Sequence, residues 1–186
     1  MREDWIDGRP PPEAYGRVTN PGRFAVLHAA ADALAAELAA QFVVTTAADV
    51  DTPSGLDRFP DVRRTLRLDP GTEGAPVTFV FTGFPGLAVR YGRWCTAVLP
   101  MCGCDACDDD PTDLVAQLTA RVWSVAREGF HETRAHRRGG IEDSFRFGSE
   151  RSWGWVPIED DAARRRLEAA GTGSVDWPPW RPRPTA

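Results

Sequence analysis

Hydrophobic residues recur along the chain at two spacings, one helical and one extended, and these spacings predict most of the fold. Over residues 21–42 the apolar positions fall three or four apart, which is typical of a helix with one buried face. A second helix is predicted over 111–130, because Asp110 can cap it and Pro111 can occupy its first position. A third helix over 159–170 carries its acidic residues first and its arginines last, which matches the helix dipole.

Alternating apolar and polar residues predict strands in two parts of the chain. The first part holds four segments, over residues 62–68, 77–82, 87–91 and 94–99. Short turns rich in glycine and proline separate them, so an antiparallel meander is expected. A hairpin over 141–147 and 153–158 follows the second helix. We therefore predict an α+β fold, in which an antiparallel sheet of about five or six strands has two main helices packed on one face.

The length of 186 residues suits one well-buried core, so we predict a single α+β domain over residues 1–186. Residues 1–19 contain few periodic apolar positions and are expected to form an irregular lead-in. Residues 172–186 are rich in proline and tryptophan, and this composition predicts an extended tail outside the core. Such a tail can dock in an aromatic groove of an unknown protein partner.

The tryptophans divide into two groups by their setting in the sequence. Trp153 and Trp155 alternate within a predicted strand and are expected to pack in the core. Trp177 and Trp180 lie between prolines in the predicted tail, where they can face a partner.

Charge and composition exclude several classes of function. The chain has 22 basic and 27 acidic residues, a net charge of −5, so nucleic acid is not an expected partner. All basic residues are arginine, which excludes a Schiff-base lysine, a P-loop lysine and a lysine general base. The charged N-terminus lacks a secretory signal pattern, and the apolar run over 24–44 is too polar to span a bilayer, so a cytoplasmic location and no membrane contact are expected.

Three of the four cysteines fall at C-x-C-x-x-C spacing between a predicted strand and a predicted helix. In a reducing compartment such cysteines are usually thiols or metal ligands rather than disulfides. Thiolates of Cys102, Cys104 and Cys107 on a tight glycine-containing loop can replace the water shell of Zn²⁺ at about 2.3 Å. The sequence therefore predicts a structural zinc-thiolate knuckle, which fastens the strand to the helix and acts by binding.

A tetrahedral zinc site needs a fourth ligand, and the sequence offers several candidates. Cys95, on the strand that enters the loop, is the favoured metal ligand, although a small buried residue in a strand explains it equally well. His28 and the local Asp105 or Asp108 come next, and an open position that holds water is a further option.

Two alternatives to a structural metal remain open for the loop. One is a metal- or dithiol-dependent enzyme that uses Cys102, Cys104 and Cys107, in which the C-x-x-C pair forms a reversible disulfide. The aspartates at 108–110 are expected to raise the thiol pKa, which argues against this redox role. The other alternative is a set of unliganded thiols in a tight turn.

A weaker candidate is a basic segment after the second helix. Arg134, Arg137 and Arg138, next to Gly139 and Gly140, can form an anion-binding site from guanidinium groups and backbone N–H groups. A solvated turn is the simpler interpretation of the same residues.

Residues 94–110 resemble a family of uncharacterised actinobacterial proteins. The resemblance lies in a strand that ends in proline, the string Cys-Gly-Cys-Asp-Ala-Cys-Asp and an amphipathic helix that follows. It implies a shared single-domain fold with the cysteine loop as its signature, and it implies no catalytic residues.

Overall fold

The computed structural model describes residues 9–56, 61–72, 74–137 and 139–184. Over these residues the chain forms three α-helices, α1 (Val26–Gln41), α2 (Pro111–Glu128) and α3 (Asp161–Ala169). Its strands are β1 (Thr45–Ala48), β2 (Val62–Asp69), β3 (Val77–Thr82), β4 (Leu87–Tyr91), β5 (Cys95–Leu99), β6 (Phe130–Arg137), β7 (Gly140–Phe147), β8 (Glu150–Pro157) and β9 (Gly173–Trp177).

The strands form two antiparallel sheets. The first is a meander in the order β1-β2-β3-β4-β5, and the second has the order β8-β7-β6-β9. The predicted α+β class with antiparallel pairing is confirmed. The strands are divided between two sheets of five and four rather than collected in one, and α2 connects the first sheet to the second.

Both main helices follow the predicted apolar periodicity. A short 3₁₀ turn (Pro21–Ala25) leads into α1. At the start of α2 the Oδ1 atom of Asp110 accepts a hydrogen bond of 2.7 Å from the backbone N–H of Thr112, which confirms the predicted cap. Within the described ranges, none of the helices has the length and apolar character needed to cross a membrane.

One hydrophobic cluster contains residues from both sheets and both main helices. Leu27, Leu34 and Leu38 of α1 and Val122 of α2 are buried in it. Aromatic rings connect the two sheets, as the Tyr91 ring on β4 lies 5.2 Å from the ring of Phe147 on β7. The remaining members include Phe79, Phe81, Leu87, Val89, Leu118 and Phe130. The two sheets therefore share a core.

The predicted C-terminal tail is part of this core, which corrects the expectation of an extended segment outside it. Residues 173–177 form β9, which pairs with β6. Trp180 is only 2% exposed, and its Nε1–H donates to the carbonyl of Ala75 at 3.0 Å. The chain then runs beside the end of α1, where Phe42 and Pro182 form a β-bridge. Trp180 therefore cannot face a partner.

The two tryptophans that were expected in the core, Trp153 and Trp155, are exposed instead. Trp153 is 77% exposed and Trp155 is 48% exposed, although their alternation predicted burial. Both lie on β8, an edge strand, opposite Ser144 and Glu142 of β7. Alternation indicates that two residues share a face of a sheet but does not indicate which face is covered.

A buried carboxylate, Glu132 on β6, connects the two sheets. It is 0% exposed and accepts hydrogen bonds from the backbone N–H groups of Arg93 and Trp94, at 2.7 and 2.8 Å. Its Oε1 atom also accepts from Trp177 Nε1 at 2.8 Å. Gly92, at φ +59°, is required here, because a Cβ atom would collide with Glu132 Oε1.

We predict that Trp180→Ala destabilises the protein by about 3–5 kcal/mol, because it leaves a large cavity and removes a buried hydrogen bond. The matched control is Trp153→Ala, which should change the free energy of unfolding by no more than about 0.5 kcal/mol because this ring is exposed. Urea unfolding measures both values. Equal effects of the two substitutions would contradict the placement of the tail in the core.

Glu132→Ala should cost about 1–3 kcal/mol, since the buried N–H of Trp94 loses its acceptor, and the part-buried donors of Arg93 and Trp177 add to this cost. Glu132→Gln should cost less, because one acceptor oxygen remains. The control Glu142→Ala removes a carboxylate from the exposed face of β7 and should have little effect. Denaturant unfolding of the three variants measures their loss of stability. An unchanged midpoint for Glu132→Ala would show that the carboxylate does not hold the sheets together.

Candidate metal centre

The cysteine loop connects the end of β5 to the start of α2. The sulfur atoms of Cys102, Cys104 and Cys107 all lie within 4.8 Å of one another. The sulfur atoms of Cys104 and Cys107 are 3.6 Å apart, and the backbone N–H of Cys107 donates to the carbonyl of Cys104. Cys104 is buried, whereas Cys102 and Cys107 are exposed. The structure therefore brings together the three cysteines of the C-x-C-x-x-C motif.

Glycine at position 103 lets the loop bend tightly over the core. Gly103 has a φ of +75°, and a Cβ atom there would lie 2.9 Å from the Phe84 ring and 3.0 Å from Pro100. A side chain at this position would force Phe84 or the loop to move. The glycine between the first two cysteines thus allows both sulfur atoms to point to one place.

The N-terminal lead-in holds the other side of the loop. The backbone N–H groups of Asp105 and Ala106 donate to the carbonyls of Arg17 and Ala14, at 2.8 and 3.2 Å. Gly16 contributes a backbone N–H that donates to the sulfur of Cys104. The described part of the lead-in is irregular apart from a 3₁₀ turn (Pro12–Ala14), but it is an ordered wall of the site.

Asp105 fastens the lead-in to the loop with its side chain. It is 1% exposed, and its Oδ2 atom accepts from Arg17 Nε at 2.8 Å. Its Oδ1 atom accepts from both the backbone N–H and the hydroxyl of Thr19, each at 3.0 Å. These hydrogen bonds, first that from the Thr19 backbone, lower the pKa of Asp105 to about 2. Sequence reasoning missed Arg17 and Thr19, because no local pattern relates them to a loop more than eighty residues away.

The three thiols differ in their electrostatic surroundings. The backbone N–H of Gly16 is the largest influence on Cys104, and with the hydrogen bond from Cys102 it lowers the pKa of Cys104 to about 6. The hydrogen bond that Cys107 makes to Cys104 raises the pKa of Cys107 to about 12. The first thiolate of the group therefore forms at Cys104, the buried member, and N–H donors stabilise it.

Cys95 lies outside this group. It is the first residue of β5, paired with Tyr91, and burial followed by the charge of Glu132 raises the pKa of its thiol. About 13 Å of extended strand separates it from Leu99, at roughly 3.3 Å per residue. The predicted fourth ligand is thus placed in the core, where its position suits the alternative of a small buried residue.

The other predicted ligands are not in the group either. The Nε2 atom of His28 lies 2.8 Å from the carbonyl oxygen of Gly86, with which it can hydrogen-bond. Both carboxylate oxygens of Asp105 are engaged as described, and Asp108 lies outside the three-cysteine group. Among the described residues, only the three cysteines form a cluster suited to a metal.

In the structure, two arginines of the predicted anion site contact carboxylates. Arg134 is largely buried and makes two hydrogen bonds to Asp143, at 2.6 and 2.7 Å. Arg137 lies 3.3 Å from Glu142, and Arg138 lies outside the described residues. The two described arginines therefore each have a carboxylate partner, and the glycines that follow form the turn into β7.

A cavity of about 280 Å³ adjoins the cysteine cluster. Cys102 lies in its wall and also belongs to the cluster. The neighbouring wall is mainly apolar and includes Phe84, Leu87, Val98, Leu99 and Met101. The site thus has a protein wall on the Asp105 side and an open space on the Cys102 side.

Fold and site define an α+β protein with two antiparallel sheets and a three-cysteine candidate metal centre. The chain belongs to DUF6226, a family of unknown function, and the match covers residues 2–184. No curated protein and no solved structure matches the chain. The resemblance to an uncharacterised family is thereby confirmed, while its actinobacterial source and the cysteine string as its signature stay predictions.

We predict that Asp105→Asn lowers the thermal midpoint at pH 7, because the lead-in loses its charged acceptor. The pKa of Asp105 is about 2 in the folded protein against an ordinary 3.8. Its stabilising effect is therefore complete above about pH 4 and is lost as the pH falls toward 2. Thermal unfolding at several pH values should show the two proteins converging in acid. The control Asp109→Asn removes a charge from the same loop, and an equal effect at pH 7 would contradict a specific role for Asp105.

Proposed function

We propose that this protein binds a metal ion, zinc in the first instance, through the thiolates of Cys102, Cys104 and Cys107. The close approach of the three sulfur atoms carries the proposal. The ion fastens the end of β5 to the start of α2, and the protein acts by binding rather than by catalysis. Its four unpaired cysteines support a reducing compartment, the cytoplasm, as its location.

The distances in the cluster support a metal more than a disulfide. Two thiolates on one tetrahedral zinc ion at about 2.3 Å each are about 3.8 Å apart. The sulfur atoms of Cys104 and Cys107 are 3.6 Å apart, close to that separation, whereas a disulfide bond is about 2.05 Å long. The exposed Cys102 adds a third donor within reach of the same point.

The backbone around Cys104 also suits a metal-bound thiolate. N–H groups of Gly16 and Cys107 donate to its sulfur, and such donors orient a ligand and disperse its negative charge. Three thiolates and one Zn²⁺ carry a net charge of −1, so these donors reduce the cost of placing the group beside the core.

Dithiol chemistry is the second candidate, and one observation favours it. Cys104 has a pKa of about 6 and lies 3.6 Å from the exposed Cys107, which is the arrangement of a reactive thiolate beside a second thiol. In this alternative the protein is an enzyme whose Cys104 and Cys107 exchange with a disulfide substrate: they become a disulfide as the substrate is reduced to two thiols, and an external dithiol restores them. This alternative predicts that a protein without Cys102 keeps its full thiol–disulfide exchange activity.

The metal proposal predicts one equivalent of zinc in protein purified without a metal-affinity tag. Elemental mass spectrometry should find that Cys102→Ser, Cys104→Ser and Cys107→Ser each lose the metal, because each removes one of three donors. Cys95→Ala is the matched control, since it removes a cysteine outside the cluster and should keep the metal. Removal of the metal with a chelator should lower the thermal midpoint of the wild type.

Two outcomes would contradict the proposal. Wild-type protein that contains no metal and has four titratable thiols would favour dithiol chemistry over a metal site. Loss of zinc in Cys95→Ala at unchanged stability would show that the ligand set is wrong.

A further inference from the structure

We infer that the metal centre keeps its fourth coordination position open toward the adjoining cavity, and that this position binds small-molecule thiols carrying an apolar group. The inference rests on the proposed metal site and names the ligand class that the site takes.

The protein supplies three donors at the cluster over the part of the chain that the structure describes. Asp105, the carboxylate between Cys104 and Cys107 in the sequence, uses both oxygen atoms to hold Arg17 and Thr19. Asp110 caps α2 by accepting from Thr112. Neither can turn to a metal without giving up these bonds. Three protein ligands with a fourth exchangeable position are typical of zinc sites that bind or transform a ligand.

The cluster is covered by the lead-in on one side and adjoins a cavity at Cys102. Ala14 and Arg17 of the lead-in accept backbone hydrogen bonds from Ala106 and Asp105 of the loop. Cys102 and Cys107 are exposed, and Cys102 also lies in the wall of the 280 Å³ cavity. A ligand that occupies the fourth position therefore reaches it from the cavity.

The cavity walls select the rest of the ligand. The apolar residues of the lining include Phe84, Val98 and Met101, which are partly or largely exposed, and Cys102 lies in the same wall. An apolar cavity of roughly 150 Å³ suffices to hold benzene in another protein. The larger cavity here can accept a benzyl-sized group without rearrangement, and burial of that group adds affinity.

A thiolate is the donor that this centre favours. A metal already bound by sulfur ligands takes a further soft donor readily. The exchange is balanced: the metal–water bond breaks, the metal–sulfur bond forms, and the thiol releases its proton to solvent. The ligand class is therefore a thiol with an apolar substituent, oriented with sulfur at the metal and the substituent in the cavity.

The test uses the full-length protein loaded with Co²⁺, whose visible absorption reports the number and kind of its ligands. Benzyl mercaptan and 2-mercaptoethanol are titrated anaerobically. Both should shift the Co²⁺ spectrum, and benzyl mercaptan should do so at a concentration at least about tenfold lower, because its ring enters the cavity. The metal-to-protein ratio after desalting must stay at one, which shows that the thiol binds the metal rather than removing it.

Two variants test the cavity. Val98→Phe fills it and should abolish the preference for benzyl mercaptan while 2-mercaptoethanol still binds. Val156→Phe, on the exposed face of β8, is the matched control and should keep the preference. If Val98→Phe does not fold, Met101→Trp at the exposed rim replaces it, because Met101 is 90% exposed and tolerates a larger side chain.

The outcomes separate the two proposals. Absence of Co²⁺ binding would overturn the metal site itself. Stoichiometric Co²⁺ binding with a spectrum that neither thiol changes would leave the metal site standing and overturn the open position. Equal affinity for the two thiols, or a preference that survives in a folded Val98→Phe or Met101→Trp protein, would overturn the role of the cavity.

Discussion

A buried carboxylate, added to the shared apolar core, ties the two sheets together. Glu132 leaves β6 and enters the turn between β4 and β5, where it accepts two backbone hydrogen bonds, and it takes a third from Trp177 of β9. A carboxylate is costly to bury, and it is tolerated because three N–H groups donate to it, of which that of Trp94 would otherwise be buried without an acceptor. Gly92 is part of the same constraint, since only glycine leaves room for the carboxylate. The C-terminal segment thereby becomes structural: without β9, Glu132 loses a partner and the second sheet loses an edge.

The cysteine loop is held by the same principle at the opposite end of β5. Asp105 is a buried carboxylate that collects donors from a distant segment, here Arg17 and Thr19 of the lead-in. Segments near both chain ends are thus fixed by side-chain acceptors rather than by apolar burial alone. Trp180 adds the apolar component at the C-terminal end, where its ring lies 5.8 Å from that of Phe42. The lead-in and the tail look irregular in sequence because these contacts involve few residues and no period.

Local pattern was enough to predict the helices, the meander β2 to β5 and the Asp110 cap, because each depends on neighbouring residues. β1, β6 and β9 were missed, since Thr45–Ala48 has no apolar alternation, and β6 begins only two residues after α2 ends. The tryptophans show the limit most clearly. Trp153 and Trp155 have the better alternation, yet they lie on an exposed edge, while Trp180 among prolines is buried. Which face of a strand is covered depends on distant segments, and no local pattern contains that information.

The candidate metal centre shows the same limit, because part of its geometry depends on contacts with a distant segment. Sequence spacing alone identified Cys102, Cys104 and Cys107, because a tight loop brings three sulfur atoms from within six residues close together. The fourth ligand was assigned to Cys95 on the assumption that the loop folds back over its strand. The loop instead bends toward the lead-in, because Asp105 is held there, and this leaves Cys95 in the core and Cys102 facing a cavity. Two separate constraints therefore shape the cluster: the extended strand β5 keeps Cys95 away from the loop, and the hydrogen bonds of Asp105 fix the side that the lead-in covers.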